Sequence, residues 1–156
     1  MSFPLPLLQQ REIEAGVIAP FFRAVVAAVG ELRARELLAI TIHQLAQQSG
    51  CTAAMALGGT ELSHLKQVVD KWCEGGALDL TILRDDSEAF EFNVTRCQFA
   101  EMYRRHGLAE LGPILSCGRD GAMIEGFNPD IEFTRTQTIM EGAPYCDFRY
   151  HHRVRV

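Results

Sequence analysis

Closely spaced cysteine pairs are missing from this 156-residue chain, and its cysteine count of five is odd. A structural zinc site and a disulfide framework are therefore both without support, and reduced thiols in a cytoplasm are expected. The opening Met1-Ser-Phe-Pro-Leu-Pro6 has neither the basic stretch nor the long apolar run of a secretory signal. Pro20, Arg23 and Gly30 interrupt the longest apolar segments, so no bilayer span and no membrane partner are expected. Charge is also scarce. Charged residues make up 22% of the chain and sum to −5, which excludes a broad nucleic-acid footprint. The locally basic end, with Arg149, His151, His152, Arg153 and Arg155, is expected to be a solvated strand face. Gly58-Gly59 and Gly75-Gly76 lack the Lys-Ser/Thr sequel of a phosphate loop, and no repeat of fixed period is present.

What is present is apolar character, 47% of residues, in a length that suits one domain over 1–156. A helical part is expected over 1–75 and a sheet with further helices over 76–156. The first helix spans 6–29 with Leu8, Ile13, Val17, Phe21 and Val25 as its apolar stripe, kinked or split at Pro20. The second spans 31–49 with Leu38, Ile42 and Leu45 inward, and Gly50 ends it. Thr60 to Cys73 forms a third, on the spacing of Leu62, Leu65, Val68, Val69 and Trp72. The period then drops to two. Residues 77–84 and 88–96 read as a hairpin, and strands follow at about 131–139 and 144–154. Between them, Thr95-Arg-Cys-Gln98 has the form of a capping box. It would set Cys97 in the first turn of a helix running to Gly107, where a thiol's pKa is lowered. A short helical stretch at Leu108 to Gly112 precedes another helix, opened by Pro113 and carrying Cys117 toward Ile124. The predicted class is α+β, a four-stranded antiparallel sheet covered by the N-terminal and central helices.

The chemistry-bearing residues concentrate in the last third. Cys117 lies among small residues, beside Gly118 and near Gly121, and shares a helical face with Asp120 three positions on. These two are the catalytic candidates, as nucleophile and proton-handling group; the alternatives are a small buried hydrophobe and a solvated carboxylate. Arg135 shares a strand face with Ile131 and Phe133, so its charge points to the apolar side and either needs a partner (Asp120, Glu125 or a substrate carboxylate) or reaches solvent from the strand end. Arg149 is a second candidate anion clamp, and Thr138 joins Arg135 and Arg149 as a substrate-binding candidate. Cys146 faces the core side with Phe148, Tyr150, Val154 and Val156, and with Cys97 is assigned a supporting role. Convergence of Cys97, Cys117, Cys146, Asp120 and His106 on a metal has no support from spacing, so no metal and no cofactor are expected. The N-terminal helices have stripes wide enough for a homo-oligomer face.

The segments Phe92-Asn-Val-Thr-Arg-Cys97, Glu101-Met-Tyr103, Glu110-Leu-Gly112, Leu115-Ser-Cys117-Gly-Arg-Asp120, Gly126-Phe-Asn-Pro129, Arg135-Thr-Gln-Thr138 and Cys146-Asp-Phe-Arg149 resemble the L-2-amino-thiazoline-4-carboxylic acid hydrolase family. The N-terminal Gln10-Arg-Glu-Ile-Glu14 is similar to that family's helical opening. The resemblance implies hydrolytic ring opening of a small heterocyclic acid (a thiazoline, cyclic amidine or cyclic amide) at a C=N or C–N bond. For the namesake substrate the product would be N-carbamoyl-L-cysteine. The expected route is attack by the Cys117 thiolate, with Asp120 managing protons, Arg135 and Arg149 holding the substrate carboxylate, and N–H groups at a helix N-terminus stabilising developing charge. The competing class is a non-catalytic sensor module that binds a small acid, a metal or haem in the same pocket.

Overall fold

The computed structural model describes residues 5–153. Val154, Arg155 and Val156, assigned to the last strand and the basic end, lie outside the described residues. Among the described residues five α-helices, α1 (Leu7–Val29), α2 (Glu31–Leu57), α3 (Leu62–Trp72), α4 (Gln98–Arg105) and α5 (Gly118–Phe127), accompany four strands, β1 (Leu78–Asp85), β2 (Ala89–Cys97), β3 (Ile131–Thr134) and β4 (Cys146–His152). The strands form one antiparallel sheet in the order β1-β2-β4-β3. This is the predicted α+β class. Alternation along β2 and β4 buries Phe90, Phe92, Val94, Cys146, Phe148 and Tyr150 on one face. Their rings and that of Phe133 pack with centroids 4.9–6.3 Å apart. The other face carries Asp147 and Arg149.

The N-terminal helices depart from the reading of their sequence. Pro20 does not split α1, which is continuous across it; its ring takes the place of a donor to the Gly16 carbonyl, and Gly16 has open space around it. The face of α1 that turns inward is built on Ala15 and Ala19, while Ile13, Val17 and Phe21 are 61–69% exposed. In α2 the buried line is Ala34, Ile42, Ala46 and Gly50, and Leu45 faces out. Gly50 does not end α2; Gly58, in the left-handed conformation at φ 67°, does. Gly50 instead lets α2 cross α5 closely, because a Cβ there would lie 2.7 Å from the amide nitrogen of Phe127.

Among the described residues the buried side chains form two clusters. One joins α2, α3, β2, α5, β3 and β4; the other joins α1, Ile42 of α2, α4, the Leu108–Leu115 segment and Met140. Leu78 and Cys97 pack against both, and the cavity described next opens at this seam. Among the described residues no helix is long and apolar enough to cross a membrane.

Candidate functional site

Leu108 to Gly112 makes a turn, closed by the Leu111 N–H on the Leu108 carbonyl at 3.0 Å. The chain then enters a π-helical turn at Pro113–Cys117 that runs without a break into α5. Wide turns of this kind, one residue longer than an α-turn, recur at functional sites. The turn holds Cys117 at its end, directly before the α-helical turn that carries Arg119 and Asp120. Because the two segments are continuous, the Gly118 N–H is already donated to the Pro113 carbonyl. The helix-end amides expected to stabilise negative charge are thus spent at this position.

A cavity of about 130 Å³ is lined by Cys97, Cys117, Cys146, Asp120, Arg135 and Thr138, with Trp72, Phe99 and Phe148 among its apolar walls. Engineered apolar cavities of about 150 Å³ take benzene, so the space suits one small ring. Six of the seven predicted site residues therefore converge. Arg149 does not join them. It lies on the opposite sheet face, where its guanidinium donates to the Phe92 and Phe148 carbonyls at 2.9 and 2.8 Å and to Asn93 Oδ1 at 2.9 Å.

Arg135 and Asp120 form an ion pair whose side chains are 16% and 18% exposed. The same guanidinium donates to the Cys117 carbonyl at 3.2 Å and lies 5.5 and 5.3 Å from the ring centroids of Phe133 and Phe148. Of the three partners open to Arg135 in the sequence, the structure selects Asp120. The extended stretch after Arg135 is fixed by Asp147, which accepts from the Thr136 N–H and hydroxyl and from the Gln137 N–H at 2.6–2.9 Å. Burial drives the Asp120 carboxyl up to about 6, with the charge and hydrogen bond of Arg135 pulling against it. Removing Arg135 leaves that carboxylate buried alone. Arg135→Met is expected to cost about 3 kcal/mol at pH 8 and clearly less at pH 5, where Asp120 is protonated. Denaturant unfolding at the two pH values checks this, and adding Asp120→Asn should recover most of the loss.

The three thiols that line the cavity are shifted against ionisation. Burial, reinforced by the charge of Asp120, puts Cys117 well above the usual thiol range. Cys97 is the N-cap of α4, one residue outside the helix instead of within its first turn, and its sulfur accepts the Ala100 N–H at 3.4 Å. Thr95, the expected cap, donates its hydroxyl to the Asp79 carbonyl at 3.3 Å. Burial outweighs those helix-end amides, so the Cys97 pKa is raised where a lowered one was expected. Cys146 is buried, accepts the Ile139 N–H at 3.1 Å and is pushed up to about 11, chiefly by burial. Thr138, also buried, caps a short 3₁₀ turn by accepting the Glu141 N–H at 3.2 Å. Among the described residues no three His, Cys, Asp or Glu side chains are placed to share a metal ion. His106 instead meets Glu12 Oε1 at 2.6 Å.

Two cavity-lining arginines escaped the sequence reading, Arg11 of α1 and Arg119 of α5. Both contact Glu14, Arg11 at 2.9 Å and Arg119 at 3.2 Å. A signal was present for the first: Arg11 stands on the helical stripe of Leu8, Ala15, Ile18 and Phe22, the side of α1 that turns inward.

The chain matches the family of L-2-amino-thiazoline-4-carboxylic acid hydrolases over residues 10–150. No curated protein matches it. Among solved structures it is similar to the phenol-responsive sensory domain of the transcription activator PoxR, crystallised with phenol. That likeness has a TM-score of 0.54 and 14% identity over 87% of this chain and 73% of the other. It shows a shared fold.

Proposed function

The chain belongs to the L-2-amino-thiazoline-4-carboxylic acid hydrolase family, and from that premise we propose that the one-ring cavity beside Asp120 is where a small heterocyclic acid is opened. Membership makes the protein a hydrolase acting on the C–N bonds of a cyclic substrate. The observation that carries the assignment is a carboxyl with a pKa of about 6, held by Arg135 on a cavity of about 130 Å³. Such a group is mostly ionised at neutral pH and exchanges a proton there readily, as general acid–base catalysis requires. Asp120 takes a proton from water as the water oxygen bonds to the amidine carbon. Asp120 passes that proton to the ring nitrogen as the C=N double bond becomes single. The other ring bond of the carbon, C–S in a thiazoline, then breaks as the new hydroxyl becomes the carbonyl and its proton goes to the departing atom. One water is consumed and the carbamoyl group formed stays on the opened chain.

Cys117 supports a second route, because it lines the same cavity beside Asp120. There Sγ bonds to the amidine carbon as its proton passes to Asp120, the ring opens with that proton delivered to the departing atom, and water then displaces Sγ, which leaves as the thiol. The raised thiol pKa makes a resting thiolate scarce, which favours the water route. The expected result for Cys117→Ala is kcat within about tenfold of the parent, and a loss of a thousandfold or more would transfer the reaction to the covalent route. The measurement is a ring-opening screen of thiazolines, cyclic amidines and cyclic amides, run with and without chelator on both proteins. The sensor reading draws on the PoxR sensory domain crystallised with phenol, a ligand of one small ring. Tight binding across the screen with no opened product from any compound would select that reading.

A further inference from the structure

The catalytic pair Asp120–Arg135 is electrically closed: one anion, one cation, each the other's partner. It leaves no charge with which to hold an acid. Among the described residues the other charged groups that line the cavity are Arg11 and Arg119, and both contact one carboxylate, Glu14. Arg11 spends one guanidinium nitrogen on both Glu14 oxygens, at 2.9 and 3.0 Å. Arg119 spends Nε on the Leu115 carbonyl at 2.7 Å and one terminal nitrogen on Glu14 at 3.2 Å. A guanidinium carries five N–H donors, so each keeps donors beyond these. Both side chains are only 13% exposed, which is costly for cations that have half an anion each. Two buried positive charges against one negative leave one positive charge on the wall of a one-ring cavity.

We infer that Arg11 and Arg119, bridged by Glu14, are the anchor for the carboxylate of the ring acid, and that Glu14 sets how tightly the anchor holds. This rests on the ring-opening reading for the kind of acid, and on geometry for the anchor itself. The planar forks of two arginines suit a carboxylate's two oxygens. Their setting also links anchor to chemistry, since Arg119 precedes Asp120 on α5 and Arg11 approaches from α1. A bound carboxylate would thus sit beside the group that handles protons. The like charge of Arg11, after burial itself, lowers the Arg119 pKa, as expected of a cation pair lacking a full counter-charge. Arg11 and Arg119 both help to keep Asp120 ionised. An anion in the anchor offsets their pull and makes Asp120 a stronger base toward the molecule just bound.

The test uses thiazolidine-4-carboxylate, a five-membered ring acid with no C=N bond to open, and its uncharged methyl amide, titrated calorimetrically into the full chain. The parent should bind the acid at least tenfold more tightly than the amide. Arg11→Gln and Arg119→Gln should each weaken acid binding about tenfold or more and leave amide binding unchanged. Glu14→Gln, which keeps a hydrogen-bond acceptor and removes a charge, should tighten acid binding about threefold or more. That last sign separates an anchor from scaffolding and covers the case in which an arginine variant fails to fold. Equal binding of acid and amide, no binding of the acid at millimolar concentration, arginine variants that weaken both ligands alike, or weaker acid binding in Glu14→Gln would each overturn the anchor. Since the probe cannot be turned over, these results hold whether or not ring opening is found. Turnover of a thiazoline acid with unaltered acid-over-amide preference in both arginine variants would sink the anchor and leave the hydrolase standing.

Discussion

Asp120→Asn is expected to lower kcat for ring opening by about 10²–10⁴-fold, the scale of a lost general base. Asparagine matches the carboxylate in shape and still offers Arg135 an oxygen, but it cannot take a proton at any useful pH. The pH profile tests the assignment independently of the size of the loss. With the folded pKa at about 6, the basic form of Asp120 grows as pH rises through that value, so kcat/KM of the parent should climb and level off near neutrality. The residual rate of Asp120→Asn should lack that limb. A parent rate that falls as pH rises through 6 would instead assign Asp120 as the acid. The same group leaves a mark on stability, and its sign is fixed by linkage. The folded pKa stands above the ordinary 3.8, so the folded state binds the proton more tightly. Its contribution is complete below about pH 3.8 and is lost as pH rises through about 6. Thermal melts across that window should show the slope in the parent and not in Asp120→Asn.

Much of the sheet and part of the site were legible in the chain, because their signals are local. Alternation in Ala89–Cys97 and Cys146–His152 assigned the core face of each strand, and parity with Ile131 and Phe133 exposed Arg135 as a charge on the apolar side. Three-residue spacing put Cys117 and Asp120 on one cavity even though the turn at Cys117 is π-helical. Parity likewise set Arg149 and Asp147 on the far face, which is where Arg149 bonds to β2, away from the cavity. The illegible parts are those in which a small residue is chosen for what it lets approach. Reading α1 and α2 by side-chain size points Ile13, Val17, Phe21 and Leu45 inward, whereas Ala15, Ala19, Ala46 and Gly50 are buried. The capping-box form of Thr95 starts α4 two residues early, because the strand pairing of Cys97 with Leu78 carries β2 past Thr95 and leaves Cys97 as the cap. Arg11 and Arg119 stand 108 positions apart, and a charged residue on a helix ordinarily means a solvated face. Only the tertiary fold brings the two together.

Gly126→Ala is expected to destabilise the protein by about 3 kcal/mol, against the ordinary rule that alanine improves a helix interior over glycine by about 1 kcal/mol. Gly126 lies in α5 where it crosses α2, and a Cβ there would overlap the Gln47 carbonyl oxygen and lie 2.7 Å from the carbonyl carbon. The obstacle is backbone, so no rotamer change relieves it; the helices must separate. The crossing is doubly dependent on glycine, because Gly50 of α2 faces the Met123 carbonyl and the Phe127 amide in the same way. Separation would loosen contacts of Ala46, Met123 and Phe127, which belong to the core cluster against the sheet. It would also shift α5, whose first turn carries Arg119 and Asp120 into the cavity. Activity should therefore fall together with stability in Gly126→Ala, even below its melting transition. The expected drop in Tm is roughly 10 °C for a chain of this size. Gly16→Ala supplies the opposite sign: Gly16 is also inside a helix, nothing lies within 4 Å of its missing Cβ, and stability should rise by about 0.5–1 kcal/mol. Equal effects at the two sites would mean that the close crossing of α2 and α5 does not govern the fold around the cavity.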